Sequence, residues 1–224
     1  MREVFQQELA EVQNGLVEIA ELVQVAIEQA THAFAESDVA LAERVIADDQ
    51  HIDERAIQLD ELAIEILARQ APVARDLRIV VSALRISASL ERMGDIAAHI
   101  AQLARFRFPQ QVGPRDLREV FGEMGRNDVE IARQLVKLLD TEDNELAEDI
   151  KRRDDIVDGL HKSIFDALLG NGTDVNHPTE VVDATLASRY HERFADHAVS
   201  IAKKIQYLSS GEWLQQKEAA TPNA

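Results

Sequence analysis

Apolar side chains recur at alternating steps of three and four residues along most of this 224-residue chain. Such spacing places them on one face of a helix with 3.6 residues per turn, so it predicts amphipathic α-helices. The first run contains Phe5, Leu9, Val12, Leu16, Ile19, Val23, Ala26 and Ala30. Five similar runs follow, separated by breaks near residues 36–38, 72, 107–116, 140–144 and 170–178. The pattern therefore predicts an all-α protein of six helices.

The breaks predict how the helices begin and how they are grouped. Ser37 is predicted to cap the second helix and Pro72 to open the third, because both residue types are favoured at helix N-termini. Short connections make neighbouring helices antiparallel, so each half of the chain is predicted to form a three-helix bundle. We assign residues 1–108 to the first bundle, 114–209 to the second and 210–224 to a disordered tail.

The composition limits the fold and the partners. Apolar residues make up 46% of the chain and aromatic residues only 4%, which favours helices around a sizeable core. There is no cysteine, which excludes disulfides, thiolate metal sites and cysteine nucleophiles. A net charge of −17 disfavours nucleic acid and favours cations or a basic partner protein. The N-terminus does not resemble a signal peptide and no apolar run approaches the ~18 residues of a membrane span. We therefore expect a soluble protein that reaches a membrane only through its partners.

The two halves of the chain are related by an internal repeat. Residues 86–101 align with 187–202 at an offset of 101, and both segments contain Glu-Arg-x-x-Asp. The middle helices align at an offset of 105 through a shared Asp-x-x-x-Asp. The six helices are therefore predicted to be two tandem copies of one three-helix unit.

Each copy carries the same acidic motifs on its middle and last helices. Residues four apart share one helix face, and these two helices are predicted to be antiparallel neighbours, so four carboxylates should converge in each half. The first Asp of each middle-helix pair takes a position in the apolar stripe where Ile or Leu would be expected. The eight residues are Asp49, Asp53, Glu91, Asp95, Asp154, Asp158, Glu192 and Asp196.

Four crowded carboxylates require positive charge among them. Metal cations are one solution, since all-oxygen clusters suit magnesium, calcium or manganese and carboxylates in helical bundles also hold iron. A structural ion-pair network is the other solution. Its candidate members are Arg55, Arg85, Arg92, Arg153, Arg189 and Arg193.

Other signals of metal or catalytic chemistry are weak. The Glu-x-x-His motif of di-iron bundles is missing, since Gly94 and Ala195 stand at the histidine positions. His99 could extend the first site, although its counterpart is Ser200, and Asp128 could join the second. No zinc-protease, phosphate-loop or dinucleotide motif and no activated nucleophile is found, so we expect no enzymatic activity.

Two segments resemble the PhoU family: PVARDLRIVVSALRISASLERMGDIAAHIAQLA at 72–104 and RYHERFADHAVSIAKKIQYL at 189–208. The resemblance extends from residue 1 to about 210, and the tandem repeat makes it specific. It implies two similar three-helix bundles whose repeated E/D-x-x-x-D motifs can carry multinuclear metal clusters, with the eight carboxylates as ligands. Where the family commonly has Asn after the last-helix motif, this chain has His99 and Ser200.

The resemblance also implies a function. It is that of a cytoplasmic negative regulator of the phosphate starvation response. Such a protein links the ATPase of the phosphate ABC transporter to a sensor histidine kinase and modulates phosphate uptake. We further expect a homodimer. The residues themselves argue only for an acidic, cation-binding helical module. A carboxylate-bridged metal enzyme or metal store and a metal-free helical scaffold stay open as alternatives, as does the choice among iron, zinc, manganese, magnesium and calcium.

Overall fold

The computed structural model describes residues 2–170 and 177–210. Within these ranges the chain forms six long α-helices, one short 3₁₀ turn and no strands. The predicted all-α fold of six helices is thus confirmed. In chain order the elements are α1 (Arg2–Glu36), α2 (Val39–Gln70), α3 (Ala74–Arg107), the 3₁₀ turn (Arg115–Leu117), α4 (Arg118–Thr141), α5 (Asn144–Leu169) and α6 (Pro178–Ser210).

Four helices form the centre of the molecule. α1 and α3 of the first half pack against α4 and α6 of the second half, respectively. α2 covers α1 and α3, and α5 covers α4 and α6, so each half is a set of three mutually packed helices. No helix in the described part of the chain is both long and apolar enough to cross a lipid bilayer.

The core consists mainly of alanine and aliphatic side chains, which form one cluster through both halves. Small residues let the helices approach closely, and longer side chains fill the spaces between them, as close packing requires. The largest fully buried side chains include Ile19, Leu90, Ile100, Met124, Leu138 and Phe194. This continuous core holds α2 against α3 and α5 against α6, the two helix pairs that carry the acidic motifs.

Both predicted helix starts differ in detail from the structure. Asp38, and not Ser37, caps α2, because its side chain accepts a hydrogen bond from the backbone N–H of Leu41 at 3.0 Å. Ser37 itself has a left-handed backbone with a φ of 55°. A carboxylate at this position also interacts favourably with the helix dipole. α3 begins at Ala74 and not at Pro72, because the chain uses the intervening residues to reverse direction after α2.

The connection between the halves is tied to both of them. Arg107, the last residue of α3, forms a two-pronged ion pair with the buried carboxylate of Asp183 on α6. Gln111 donates a hydrogen bond to the backbone carbonyl of Ala35, at the end of α1, at 3.0 Å. Most of the predicted loop at 170–178 and nearly all of the predicted tail at 210–224 lie outside the described residues.

Candidate functional site

Four carboxylates from two adjacent helices converge in the first half. Asp49 and Asp53 lie one turn apart on α2, and Glu91 and Asp95 lie one turn apart on α3. Because the two helices pack against each other, the charges of the other three residues all act on the carboxyl group of Asp49. We call these four residues the first carboxylate cluster.

Burial and mutual repulsion raise the pKa values of two carboxyl groups in the first carboxylate cluster. Burial, followed by repulsion from Asp95, Asp53 and Glu91, raises the pKa of Asp49 from 3.8 to about 6. The pKa of Asp53 is also raised, by burial and by Asp95, while Arg92 acts in the opposite direction. A bound cation would offset both the burial and the repulsion that make these carboxyl groups difficult to ionise.

The second half repeats the arrangement on α5 and α6. Asp154 and Asp158 lie on α5, and Glu192 and Asp196 lie on α6; we call them the second carboxylate cluster. Burial, followed by repulsion from Asp158, Asp196 and Asp155, raises the pKa of Asp154 to about 7. The pKa of Glu192 is raised as well, chiefly by burial. The structure thus gathers the eight residues that the sequence singled out, four in each half.

Several carboxylate oxygens in the clusters are buried without a hydrogen-bond partner in the described structure. They are Asp49 Oδ1, Asp53 Oδ1, Asp154 Oδ1 and Glu192 Oε2. Unpartnered buried acceptors are unfavourable, and carboxylate oxygens are the ligands that hard cations prefer, so the donor set fits a metal ion.

The spacing of these side chains sets a condition on metal binding. Within residues 2–170 and 177–210, no three Asp, Glu or His side chains are close enough together to hold an ion as they stand. Metal binding therefore stays a prediction, and it requires the carboxylates to draw together around the cation.

Two of the six candidate arginines pair with cluster carboxylates. Arg92 contacts Asp95 at 2.6 Å, and Arg189 contacts Glu192, each within its own helix. Both arginine side chains are more than half exposed, at 60% and 51%. Exposed ion pairs are weak, so these arginines neutralise the rim of each cluster and not its buried oxygens.

The other candidate arginines lie apart from the cluster carboxylates. Arg55 pairs with Glu18 of α1, and Arg153 pairs with Asp149 one turn earlier on α5. In the described part of the chain, no ion pair joins a cluster carboxylate to Arg55, Arg85, Arg153 or Arg193. The ion-pair network that the sequence offered as an alternative is therefore limited to one arginine per cluster.

Gly94 allows α2 and α3 to approach closely at the first cluster. A Cβ atom at this position would lie 2.9 Å from Ile52 Cδ1 and 3.0 Å from Asp49 Oδ1. The corresponding residue of the second half is Ala195, which is fully buried. The two clusters therefore share their ligand types but differ in the packing beneath them.

Asp128 is engaged away from the second cluster. It is fully buried, and its Oδ2 lies 2.7 Å from Nδ1 of His191 on α6, which is also buried. Burial raises the pKa of Asp128 to about 6, although the hydrogen bond and charge of His191 oppose the rise. The sequence hypothesis that Asp128 extends the second cluster is replaced by a buried Asp–His pair.

The two positions that depart from the family pattern also have other contacts. The ring of His99 stacks on Tyr190 with centroids 5.2 Å apart. Ser200 accepts a hydrogen bond from Lys204 Nζ at 2.6 Å. The first contact joins α3 to α6 and the second lies within α6, so both side chains are engaged outside the carboxylate clusters.

Beside each cluster the structure adds a polar contact that the periodicity did not predict. Burial raises the pKa of Asp60 in the first half, and a hydrogen bond with Ser87 partly offsets the rise. In the second half, Nδ1 of His161 lies 3.0 Å from Oγ of Ser188. The available signal was that Ser87 and Ser188 occupy equivalent, buried positions in the repeat.

The fold and the duplicated clusters agree with a known family. The model of the PhoU domain matches the chain twice, over residues 16–104 and 121–205. Each match contains one complete carboxylate cluster. The chain belongs to the PhoU family, and the predicted tandem repeat is confirmed.

Similar proteins extend over nearly the whole chain. A phosphate-specific transport system accessory protein of Mycobacterium tuberculosis, PhoU homolog 2, is 39% identical over 94% of this chain and 99% of that protein. PhoU homolog 1 of Mycobacterium leprae, described in the same words, is also 39% identical, over 94% and 95% of the two chains. The crystal structure of PhoU from Pseudomonas aeruginosa has a TM-score of 0.84 and 27% identity, and the match covers 93% of this chain and all of that one.

Proposed function

We propose that this chain is an accessory protein of a phosphate-specific transport system and a negative regulator of the phosphate starvation response. In the cytoplasm it would bind the ATPase of the phosphate ABC transporter and a sensor histidine kinase, as a homodimer. It would keep the kinase silent when phosphate is plentiful and restrain uptake. The observation that carries this proposal is the near-complete coverage of relatives that bear the name of such accessory proteins.

The proposed activity is docking and not catalysis. The net charge of −17 favours partners that present a basic surface, because complementary charge speeds association and selects the partner. Helices that pack through side chains can shift against one another, so the state of the transporter can be passed on as a change of fit.

The carboxylate clusters are proposed to hold metal cations that tie each outer helix to its neighbour. The ligands in this proposal are Asp49, Asp53, Glu91, Asp95, Asp154, Asp158, Glu192 and Asp196. A cation among four carboxylates would offset the burial and the repulsion that together raise the pKa of Asp49 and Asp154, and would stabilise the folded state through its binding free energy. The role is structural: the ion supplies charge and cross-linking, and the chain supplies oxygen ligands.

A metal-free scaffold is the second candidate, and one observation favours it. Arg92 and Arg189 already pair with one carboxylate in each cluster. In this alternative protonation, of Asp49 below a pH of about 6 and of Asp154 below a pH of about 7, would do what a cation does in the first proposal. The two candidates differ in metal content, which can be measured directly.

A deletion strain tests the regulatory role. With every copy of the gene removed, phosphate-responsive genes should be expressed in phosphate-rich medium, and the wild-type chain should restore repression. Asp49→Ala combined with Glu91→Ala should restore less if the first cluster is needed. Asp48→Ala, a change at an exposed neighbour of the cluster, is the matched control and should restore repression fully. Normal repression in the deletion strain would contradict the proposal.

Binding to purified partners tests the docking surface. Affinity for the transporter ATPase or the kinase sensor region should fall as salt rises from ~50 to ~300 mM, over which the Debye length shrinks from roughly 14 to 6 Å. Binding that does not respond to salt would instead indicate an apolar interface.

A further inference from the structure

A cavity of about 690 Å³ lies between the two halves of the molecule, apart from both carboxylate clusters. Its walls come from the end of α1, the first four turns of α4, the linker before α4 and His191 of α6. None of the eight cluster carboxylates lines it. A volume of this size is typical of small-molecule sites, which often lie where two structural units meet.

One part of the cavity is apolar and aromatic. Phe34 and Phe121 meet edge to face with ring centroids 5.5 Å apart, and both line the cavity together with Val112 and Val129. Phe34 also meets the ring of His191 edge to face at 6.2 Å. Such a surface accepts a flat ring, because aromatic faces and edges interact favourably with one another.

Another part is cationic, in a protein of net charge −17. Arg118, Arg126 and Arg133 line the cavity, and Glu28 is the one acidic residue among the described lining residues. Arg133 pairs with Glu28 at 2.9 Å, and Arg126 pairs with the exposed Glu119 at 3.1 Å. Within the described residues Arg118 has no ion-pair partner. Guanidinium groups bind phosphate through paired hydrogen bonds, so this wall suits a phosphorylated ligand.

The wall of the cavity also contains a buried polar atom without a partner. His191 is 1% exposed and its Nδ1 contacts Asp128, but its Nε2 has no hydrogen-bond partner in the described structure. When Nδ1–H of a neutral imidazole is donated to a carboxylate, Nε2 becomes an acceptor. It is then suited to receive a hydrogen bond from an amino group on a ligand, once the side chains that cover it have shifted.

We propose that this cavity binds a nucleoside phosphate whose base carries an exocyclic amino group. The base would lie against Phe34 and Phe121 and donate its amino hydrogen bond to Nε2 of His191. The phosphates would contact Arg118, Arg126 and Arg133. The inference goes beyond the proposed regulatory function and does not depend on metal in the carboxylate clusters.

Calorimetric titration of the full chain with ATP tests the assignment, with EDTA present so that no cation links the nucleotide to a carboxylate cluster. We expect one saturable site per chain. ITP has a carbonyl in place of the amino group of the base and would lose one buried hydrogen bond. Tripolyphosphate has no base and would lose the ring contacts. Each should bind at least about tenfold more weakly than ATP. Absence of ATP binding, or equal affinity for ATP and tripolyphosphate, would overturn the proposal.

Two matched pairs of variants locate the site. Gly122→Leu fills the cavity, because a Cβ at Gly122 meets only Arg126 Nη1 at 3.4 Å, and leucine also favours a helix more than glycine does. Gly159→Leu makes the same change on α5, where a Cβ would meet nothing within 4 Å. We expect Gly122→Leu to abolish ATP binding and Gly159→Leu to leave it unchanged.

The second pair removes one cationic side chain from the cavity or from a distant surface. Arg118→Gln should weaken ATP binding about tenfold or more, whereas Arg44→Gln on the exposed face of α2 should have no effect. The combined Asp49→Ala and Glu91→Ala variant should keep the full affinity for ATP. Unchanged affinity in Gly122→Leu, with its fold verified by circular dichroism, would overturn the placement of the site.

Discussion

The two halves of the molecule repeat their carboxylate clusters but not their cores. At the offsets of 105 and 101 residues between the starts and the ends of the two family matches, Val23 and Leu90 of the first half correspond to Asp128 and His191 of the second. All four side chains are buried, with exposures of 1% or less. One half therefore has two buried apolar side chains where the other has a buried ionisable pair. The acidic motif occurs in both halves, so its role is common to them. The Asp128–His191 pair occurs only in the second half, where His191 lines the cavity between the halves.

Removing one member of the buried pair should have the largest effect. His191→Leu installs the residue of the first half but leaves Asp128 buried without a partner. The free energy of unfolding should fall by about 3 to 5 kcal/mol, because the change leaves a buried carboxylate without its hydrogen-bond partner. Urea denaturation at neutral pH measures this change.

The double variant sharpens the comparison between the halves. Asp128→Val together with His191→Leu gives the second half the apolar pair of the first, and apolar replacements of buried pairs are often neutral or stabilising. Its stability should lie within about 1 kcal/mol of the original protein. If the losses of stability caused by the two single changes add up in the double variant, the two side chains are not energetically coupled, which would contradict this prediction.

The pH dependence of stability separates the two clusters. The pKa values of Asp49 and Asp154 rise from 3.8 to about 6 and about 7, so the folded state holds more protons than the unfolded state in that range. The metal-free protein should therefore lose stability as the pH rises from about 4 to about 7. Asp128 contributes in the same direction, so single variants must identify the source.

Asp154→Asn should reduce the loss of stability with rising pH more than Asp49→Asn does, because the pKa of Asp154 is raised further than that of Asp49. Since both residues are only partly buried, we expect an effect of about 1 kcal/mol or less in each case after solvent screening. Thermal denaturation in EDTA at several pH values is the measurement. Asp48→Asn, at an exposed position, should leave the slope unchanged; a slope that no cluster variant alters would refute the electrostatic account of the clusters.

The smallest effect is expected from the arginines on the rim of the clusters. Arg92→Gln and Arg189→Gln each remove an ion pair whose arginine is more than half exposed, so the stability of the metal-free protein should change little. Each variant should nevertheless bind cations more tightly at its own cluster, because Asp95 or Glu192 is released. Weaker cation binding in both variants would show that the arginines support the cluster geometry instead of competing with the ion.

The sequence was sufficient to predict the features that depend on periodicity. Steps of three and four residues located all six helices, and Asp49 and Asp154 were recognisable because they interrupt an apolar stripe. The internal repeat then placed the second pair of carboxylates on the facing helix of each half. These inferences need only local geometry and the antiparallel order of neighbouring helices.

Features that depend on contacts between the halves were not predictable in this way. Asp128 also lies on an apolar stripe, but its partner His191 is 63 residues away on another helix. The sequence alone predicts only surface positions on α4 for Arg118, Arg126 and Arg133. They line a cavity because α1 packs beside α4, which the periodicity does not specify. The choice of Asp38 over Ser37 as the cap of α2 depends on one backbone angle that no periodicity specifies.

The most direct test of the account is the metal content of protein purified without chelator. After exposure to iron, zinc, manganese, magnesium or calcium, elemental analysis should find bound metal in the original chain. Asp49→Ala with Glu91→Ala should lose roughly half of it, Asp154→Ala with Glu192→Ala should lose the other half, and all four changes together should remove it. Asp48→Ala should keep the full content. A chain that binds none of these metals, or variants whose metal content is unchanged, would contradict the claim that the duplicated carboxylate clusters are cation sites.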